Sequence, residues 1–450
     1  MKKLLTLLLS ANSFLLLAQT NPAITSWLQN TSITGRHYVE GNSTPIEDNV
    51  LANVQLVQYS TDWVYVSATG VPAYITGPFL DGNPSLTSDQ DAIFKIPHNP
   101  TENTGTSTAT NMGHIGVFIN GVGLFDYADG VSWNNNTQSE GGGPIMGPPG
   151  QGIWNRDAVV AEREGFDCAK GHPAQGTYHH HQNPSAFNLD LVVLSDICNA
   201  YAADGLYVID SNEHSPLIGF SFDGFPIYGA YGYENADGTG AIVRMKSGYQ
   251  LRDITVRTHY ADGTNVTDGP AVSATYPLGH YREDYEFVEH PGEEDYLDEH
   301  NGRWCVTPEY PNGIYAYFCT VDENHNSVYP YAVGPTFYGN KVASIVQNIP
   351  ESTTTYTGSV GMGETDMSEM TLGIYPNPAS EFVVIQVGDL VKANIPIEIF
   401  NAQGQLVESG TIAAGSTNYY LDTKRLYNGE YILKYKIDAQ IGTKRFVIAH

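Results

Sequence analysis

Short runs of β-branched and aromatic residues recur along most of the chain, bounded by Gly, Asn, Asp and Pro. This pattern indicates strands joined by long polar loops. Examples are residues 54–59 (VQLVQY), 63–66 (WVYV), 115–119 (IGVFI) and 313–318 (GIYAYF). Helical spacing is rare, and we predict helices only over residues 157–166 and 184–203. The pattern therefore predicts a mainly β main domain with long loops and one or two short helices.

Residues 371–450 carry a separate β pattern. Residues 350–370 (PESTTTYTGSVGMGETDMSEM) are poor in large apolar groups and rich in Thr, Ser and Gly. Such a stretch cannot bury enough surface to order itself, so we interpret it as a linker. Apolar runs then recur about every 10–15 positions. That spacing predicts a small C-terminal β-sandwich over residues 371–450.

The first residues have the pattern of a secretory signal peptide. Lys2 and Lys3 precede a mostly apolar stretch over residues 4–17, and Ala18-Gln19 offers a cleavage point. We predict a signal peptide over residues 1–18 and a main domain over residues 19–349, with its core at about 100–340. No later stretch holds about 18 consecutive apolar residues, so no transmembrane segment is predicted.

The main domain is strongly acidic. The 450 residues carry a formal net charge of −28. Residues 1–18 contribute two lysines and no acid, and residues 371–450 hold seven basic and seven acidic residues, which leaves −30 for residues 19–370. This charge repels phosphate backbones and anionic lipid, so we expect no nucleic-acid partner. Cations and neutral or cationic ligands fit better, although solubility or a saline habitat also explains the acidity.

All four cysteines lie in the main domain: Cys168, Cys198, Cys305 and Cys319. In an exported chain the oxidising compartment makes two disulfides the default. Sequence order favours Cys168–Cys198 and Cys305–Cys319, although three connectivities are open. The first pairing would enclose a histidine-rich segment.

That segment, residues 176–181 (GTYHHH), is the densest concentration of side-chain chemistry in the chain. In a strand His179 and His181 point to one face, roughly 6–7 Å apart at Cα, and Tyr178 and His180 point to the other. Two imidazoles on one face suit either a transition metal or a proton-transfer pair. We expect the functional centre here.

Two further histidines precede turns and could join the pair from loops. His172 lies in a Gly-His-Pro turn, and His214 precedes Ser-Pro. Three histidines with a carboxylate or water suit copper or zinc at an open site. We therefore predict His172, His179, His181 and His214 as metal ligands, with Tyr178 and Asp223 as supporting residues behind them. A structural hydrogen-bond network and proton-transfer catalysis are the alternatives.

Other catalytic signatures are absent from the sequence. No G-x-S-x-G elbow, H-E-x-x-H helix, phosphate-binding P-loop or dinucleotide-binding glycine motif occurs. The enzyme alternative is an extracellular hydrolase or lyase that uses His179 or His181 as acid or base. A third interpretation is a glycan-binding surface protein.

The C-terminal tail resembles the type IX secretion sorting domain of Bacteroidetes. The resemblance is carried by residues 374–379 (IYPNPA), 399–404 (IFNAQG), 426–431 (LYNGEY) and 444–447 (KRFV). It implies handling by the type IX secretion machinery, passage through the periplasm, and either release or attachment to the cell surface.

The main domain resembles the YHYH protein family over roughly residues 100–340. The matching blocks are residues 121–126 (GVGLFD), 167–173 (DCAKGHP), 176–181 (GTYHHH), 214–219 (HSPLIG), 223–229 (DGFPIYG), 306–311 (VTPEYP) and 315–318 (YAYF). His180 stands where the family has its second Tyr. Because that position faces away from His179 and His181, the exchange leaves a site on their face intact. The resemblance implies membership in the family and supplies no reaction.

Overall fold

The computed structural model describes residues 21–82, 85–143, 148–185, 197–201, 209–357, 372–387, 394–401, 405–413, 416, 418–437 and 440–450. The predicted signal peptide lies outside these residues. Two compact units emerge: most of the chain up to Tyr356 belongs to the first, and Thr357–His450 belongs to the second.

The described residues are mainly β, as predicted. Three α-helices of four residues each are described: α1 Pro22–Thr25, α2 Ala158–Ala161 and α3 Ile197–Ala200. A 3-10 turn over Arg163–Gly165 follows α2, so residues 157–166 are helical in two short pieces rather than one. Of the predicted helix over 184–203, residues 186–196 and 202–203 lie outside the described residues.

The strands before residue 357 are short and numerous. In chain order they are β1 Thr34–Val39, β2 Asn42–Leu51, β3 Val54–Tyr59, β4 Trp63–Ala68, β5 Ile75–Thr76, β6 Ala92–Pro97, β7 Thr108–Ala109, β8 His114–Phe118, β9 Gly123–Phe125, β10 Ala128–Asn134, β11 Ser139–Gly142, β12 Asn155–Asp157, β13 His172–Ala174, β14 Thr177–His180, β15 Leu217–Ser221, β16 Pro226–Tyr228, β17 Tyr231–Tyr233, β18 Ile242–Arg244, β19 Tyr249–Leu251, β20 Tyr285–Phe287, β21 Gly302–Cys305, β22 Ile314–Phe318, β23 Thr336–Phe337, β24 Ser344–Val346 and β25 Thr354–Thr355.

Two sheets build the core of the first unit. A mixed eight-stranded sheet has the order β13-β14-β9-β8-β15-β16-β22-β21, and an antiparallel five-stranded sheet has the order β24-β6-β4-β3-β25. Strand alternation is plain in β6, where Phe94 and Ile96 are buried and Lys95 between them lies over the ring of Trp63 on the other face. Phe94 shares one apolar cluster with Phe220 of β15, so the two sheets bury a common core.

The first part of the predicted linker belongs to the five-stranded sheet. Thr354 pairs with Tyr59 of β3 and Thr355 pairs with Gln58, which makes β25 an edge strand. Tyr65 Oη of β4 also donates to the carboxylate of Glu351 at 2.6 Å. Residues 358–370 of the predicted linker lie outside the described residues.

The second unit is a small β-sandwich, as the sequence pattern predicts. Its strands are β26 Leu372–Tyr375, β27 Phe382–Val387, β28 Ile395–Asn401, β29 Leu406–Ile412, β30 Asn418–Asp422, β31 Gly429–Ile437 and β32 Gln440–Ile448. They form a three-stranded sheet, β26-β27-β30, and a four-stranded sheet, β29-β28-β31-β32. Ile385 of the first sheet and Ile399 and Leu433 of the second lie in one buried cluster.

One of the two predicted disulfides forms. Cys168 and Cys198 are bonded, whereas Cys305 and Cys319 are free and buried. The prediction for Cys305–Cys319 is wrong because of strand register: Cys305 pairs with Ile314 at one end of the β21–β22 hairpin. Cys319 lies five residues beyond Ile314, about 16 Å away along extended backbone. A disulfide needs Cα atoms within about 7 Å.

Candidate metal centre

A tight hairpin between β13 and β14 sets the register of two histidines. The connecting residues, Gln175 and Gly176, both have positive φ, 51° and 90°. Such a two-residue loop matches the twist of its flanking strands and so fixes which residues face each other. His172 therefore pairs directly with His179.

Three histidine side chains of this hairpin converge. His181 directly follows β14, and by strand alternation it shares a face with His179. The potential ligand nitrogens of His172, His179 and His181 all lie within 4.8 Å of one another. The Nε2 atoms of His179 and His181 are 3.2 Å apart. All three residues are buried, so the nitrogens meet inside the protein rather than in solvent.

Glu162 brings a carboxylate to the same point. It follows α2, and its backbone N–H donates to the carbonyl of Ala158 at 2.9 Å. Its Oε2 lies 3.1 Å from His172 Nε2 and 3.2 Å from His181 Nε2. Glu162 is not recognisable as a ligand from the sequence: it lies in the predicted helix 157–166, and only the fold carries that helix to the histidines.

The helix that carries Glu162 is short but well anchored. Asp157 caps it, because its carboxylate accepts the backbone N–H of Val159 at 2.9 Å. The other oxygen of Asp157 accepts the phenol of Tyr331 at 2.6 Å. Burial raises the pKa of Asp157 to about 7, although these hydrogen bonds oppose the rise.

The rear nitrogens of two histidines are held by backbone carbonyls. His179 Nδ1 lies 2.9 Å from the carbonyl oxygen of Thr177, and His181 Nδ1 lies 2.7 Å from that of Asp126. A carbonyl accepts only, so in both rings Nδ1 carries a proton, and when the ring is neutral Nε2 keeps its lone pair. The lone pairs are therefore directed into the cluster, which is the arrangement that orients imidazole as a metal ligand.

The separations inside the cluster fit donors arranged around a cation. Bonds of about 2.0–2.1 Å at tetrahedral angles place neighbouring ligand atoms about 3.3 Å apart. Three of the six separations among the four donor atoms are 3.1, 3.2 and 3.2 Å, and the ligand nitrogens of the three histidines all lie within 4.8 Å of one another. Although these distances are short, His172 Nε2 and Glu162 Oε2 form no hydrogen bond with any described residue.

The electrostatics favour the metal-binding protonation states of His179 and Glu162, whereas His181 must release its proton for metal to bind. Burial, reinforced by His181 and His172, holds the pKa of His179 well below its usual value. Burial opposes ionisation of Glu162, but the imidazoles of His172 and His181 outweigh it and lower the pKa of that carboxyl well below its ordinary range. For His181 burial is outweighed by Glu162, and the pKa is raised. An ionised carboxylate and a neutral imidazole are the forms that bind metal.

Aromatic rings enclose the cluster. Phe125 stacks on His179 with ring centroids 3.9 Å apart, and Phe166 meets the ring of His172 edge-on at 5.0 Å. These contacts exclude water from two sides. The side chain of Glu162 is 27% exposed, whereas those of His172 and His181 are 9% and 6% exposed. Glu162 is the most solvent-accessible member.

Tyr178 and His180 lie on the opposite face and support the hairpin. The Tyr178 phenol donates to Asp167, with distances of 3.0 and 2.9 Å to the two carboxylate oxygens. Asp167 also accepts the backbone N–H of Gly171, the residue before His172. Burial raises the pKa of Asp167 to about 7, against these hydrogen bonds. Tyr178 thus reaches the loop that carries His172.

His214 and Asp223 do not join the cluster. The rings around His214 are those of Tyr228, Tyr233 and Phe318, with centroids 5.2, 4.9 and 6.0 Å away. Its Nδ1 lies 2.8 Å from the carbonyl of Ser215. The carboxylate of Asp223 accepts the Tyr317 phenol at 2.6 Å rather than a histidine. The predictions for these two residues are therefore wrong: the turn before β15 carries His214 to a different part of the sheet.

Two family models match the chain. Residues 93–329, more than half of the 450 residues, match the model described as YHYH protein. Residues 373–449 match the secretion system C-terminal sorting domain. No curated protein matches the chain.

The described helices include none that is long and apolar enough to span a membrane. The sorting domain marks the protein as one that is secreted or held at the outer cell surface. The blocks of residues noted in the sequence and the matched range agree, and the chain belongs to the YHYH protein family.

Proposed function

We propose that this exported protein binds one transition-metal ion, copper or zinc, through His172, His179, His181 and Glu162. The observation that carries the proposal is the convergence of three imidazole nitrogens within 4.8 Å of one another, with a carboxylate oxygen 3.1–3.2 Å from two of them. Both ions accept imidazole and carboxylate ligands at such distances. The ion would serve metal capture outside the cell or would stabilise the hairpin.

The surroundings favour metal binding over acid–base catalysis by His179. That residue is 2% exposed, and its ring is covered by Phe125. A general base must come within hydrogen-bond distance of a substrate proton. The Nε2 of His179 instead faces His181, so an extracellular hydrolase or lyase mechanism through these two residues has no approach for a polymer. Glycan binding is supported by no specific contact.

Metal content of the purified protein tests the proposal. The protein is loaded with Zn²⁺ or Cu²⁺, dialysed and analysed for bound metal under anaerobic conditions. We expect one ion per chain in the wild type and none retained in the His179→Ala/His181→Ala variant. The matched control is His259→Ala/His290→Ala, which removes two partly exposed histidines and keeps the ion. Substoichiometric metal that is the same in all three proteins would refute the proposal.

A further inference from the structure

The four donors are not held with equal firmness. His172 and His179 lie on paired strands of the eight-stranded sheet, and His181 is tied by Nδ1 to the backbone of Asp126. Glu162 instead follows a four-residue helix and precedes a 3-10 turn. Its side chain is three times as exposed as that of His172, 27% against 9%. Rotation of one side chain would carry this carboxylate into water, whereas removal of a histidine would disrupt the hairpin.

We propose that Glu162 is an exchangeable ligand, and that a small carboxylate or comparable anion from solution binds the metal in its place. This inference rests on the proposed metal binding. The position already accommodates a carboxylate oxygen 3.1–3.2 Å from two imidazole nitrogens. An incoming anion conserves the charge around the ion, and the displaced carboxylate regains its hydration at the surface. The three histidines keep the metal meanwhile, as in open zinc sites with three protein ligands.

Two neighbouring aspartates each lie beside an arginine, which reduces their repulsion of an incoming anion. Asp126, whose carbonyl holds His181, has its carboxylate 3.5 Å from the guanidinium of Arg282. Asp129 is paired with Arg156, whose Nε donates to it at 2.7 Å. The side chain of Arg282 is 31% exposed. The net acidity of the main domain acts over longer distances and is screened at physiological ionic strength.

Anion titration of the metal-loaded protein tests the exchange. The full-length protein is loaded with Co²⁺, the metal stoichiometry is measured first, and azide or acetate is then titrated while the visible spectrum is recorded. We expect a saturable one-site spectral change in the wild type. Glu162→Ala should keep one ion per chain and bind azide and acetate at least tenfold more tightly, because the competing carboxylate is gone. Glu164→Ala, an exposed glutamate two residues away, should behave as the wild type.

The possible failures are distinct. Absence of stoichiometric metal in the wild type refutes the proposed function and this inference together. Loss of the ion from Glu162→Ala makes Glu162 an indispensable ligand and refutes the exchange alone. Retention of the ion with unchanged anion affinity also refutes it. A response to imidazole without one to azide or acetate refutes the ligand class.

Discussion

Each end of the eight-stranded sheet surrounds a histidine with aromatic rings, but only one end brings several donors together. At the β14 end, Phe125 stacks on His179 and two more histidines and Glu162 approach within 3.2 Å of a neighbour. Near β22, the ring of His214 is surrounded by Tyr228, Tyr233 and Phe318. Its Nε2 is buried and has no hydrogen-bond partner among the described residues.

The difference shows what makes a histidine among aromatic rings suitable as a metal ligand. At both ends Nδ1 is held by a backbone carbonyl, so this contact does not distinguish them. What distinguishes the β14 end is convergence of several donors, which follows from the hairpin register and from the helix carrying Glu162. Burial lowers the pKa of His214 and so favours a neutral ring. That state is compatible with binding but is not sufficient without further donors.

Single histidine-to-alanine substitutions should show the largest difference in metal affinity between the two ends of the sheet. We expect His181→Ala to weaken metal binding by more than about 1000-fold, because it removes one of four ligands and the partner of Glu162. His214→Ala should leave metal affinity within about twofold and lower the free energy of unfolding by about 2–4 kcal/mol, since it empties an aromatic pocket. Metal affinity is read by competition with a chelator and stability by denaturant unfolding.

Equal loss of metal affinity in the two variants would contradict this division. Circular dichroism of both proteins serves as the control for folding, because a variant that unfolds loses metal for trivial reasons. His98→Ala is a further control: His98 packs against Tyr59 and lies in the turn after β6, outside the histidine cluster.

The pH dependence of stability should reveal the buried acid behind Glu162. Burial raises the pKa of Asp157 to about 7, from an ordinary value of 3.8 in the unfolded chain. Between pH 3.8 and about 7 the folded state binds more protons than the unfolded state, because Asp157 is protonated only in the folded state. Protonated Asp157 therefore stabilises the fold fully below pH 4, and this stabilisation is lost as the pH rises through 7. At about 1.4 kcal/mol per pKa unit, the change reaches about 4 kcal/mol by pH 7.

Asp157→Asn keeps one oxygen for the helix cap and removes the titration, and its NH2 group replaces the oxygen that accepts the Tyr331 phenol. We expect a flatter stability profile for the metal-free variant between pH 4 and 7, and higher stability than the wild type at pH 7. Burial also raises the pKa of Asp223 near β22, so Asp223→Asn should flatten the profile in the same direction. A steeper profile in Asp157→Asn, measured by urea unfolding at each pH, would contradict the assignment.

Much of the β14 end follows from local sequence. Alternation along a strand places His179 and His181 on one face and His180 on the other, and Gln175-Gly176 is a short loop that brings His172 opposite His179. Glu162 could not be predicted, because its approach depends on how a four-residue helix packs against a sheet formed by distant strands. The Ser-Pro turn after His214 predicts that this residue joins the metal ligands. A turn in the sequence does not show, however, at which end of a sheet its residues lie.

The cysteines illustrate the same limit. The bond between Cys168 and Cys198 follows from sequence order in an exported chain, and it encloses all three clustered histidines in one loop. The same rule fails for Cys305 and Cys319, because a hairpin register places them at opposite ends. Strand register, rather than spacing along the chain, decides the outcome for Cys305 and Cys319.

Removing the Cys168–Cys198 disulfide should affect metal binding at the β14 end, whereas removing the two free cysteines near His214 should not. The bond spans 30 residues, for which loop entropy predicts a loss of about 3–4 kcal/mol in Cys168→Ala/Cys198→Ala. We also expect faster release of metal to a chelator, because Cys168 lies between Phe166 and His172. Cys305→Ala/Cys319→Ala should leave the release rate unchanged, because Cys319 follows Phe318 at the His214 pocket. Thiol titration of the unfolded, unreduced wild type should find two thiols per chain, because Cys305 and Cys319 are free. Four would contradict the pairing.

A matched pair of tyrosines should give the smallest and most specific effect. Each end has a buried phenol that donates to a buried carboxylate: Tyr178 to Asp167 near the cluster, and Tyr317 to Asp223 near β22. Replacing either tyrosine with phenylalanine removes one charge-assisted hydrogen bond and should cost about 1–3 kcal/mol of unfolding free energy.

The two substitutions should differ in their effect on metal affinity, because Asp167 also accepts the N–H of Gly171 beside His172. We expect about tenfold weaker metal binding in Tyr178→Phe, typical of a residue that orients a ligand from behind, and no change in Tyr317→Phe. Equal metal affinities in the two variants, at equal losses of stability, would mean that Tyr178 supports only the fold.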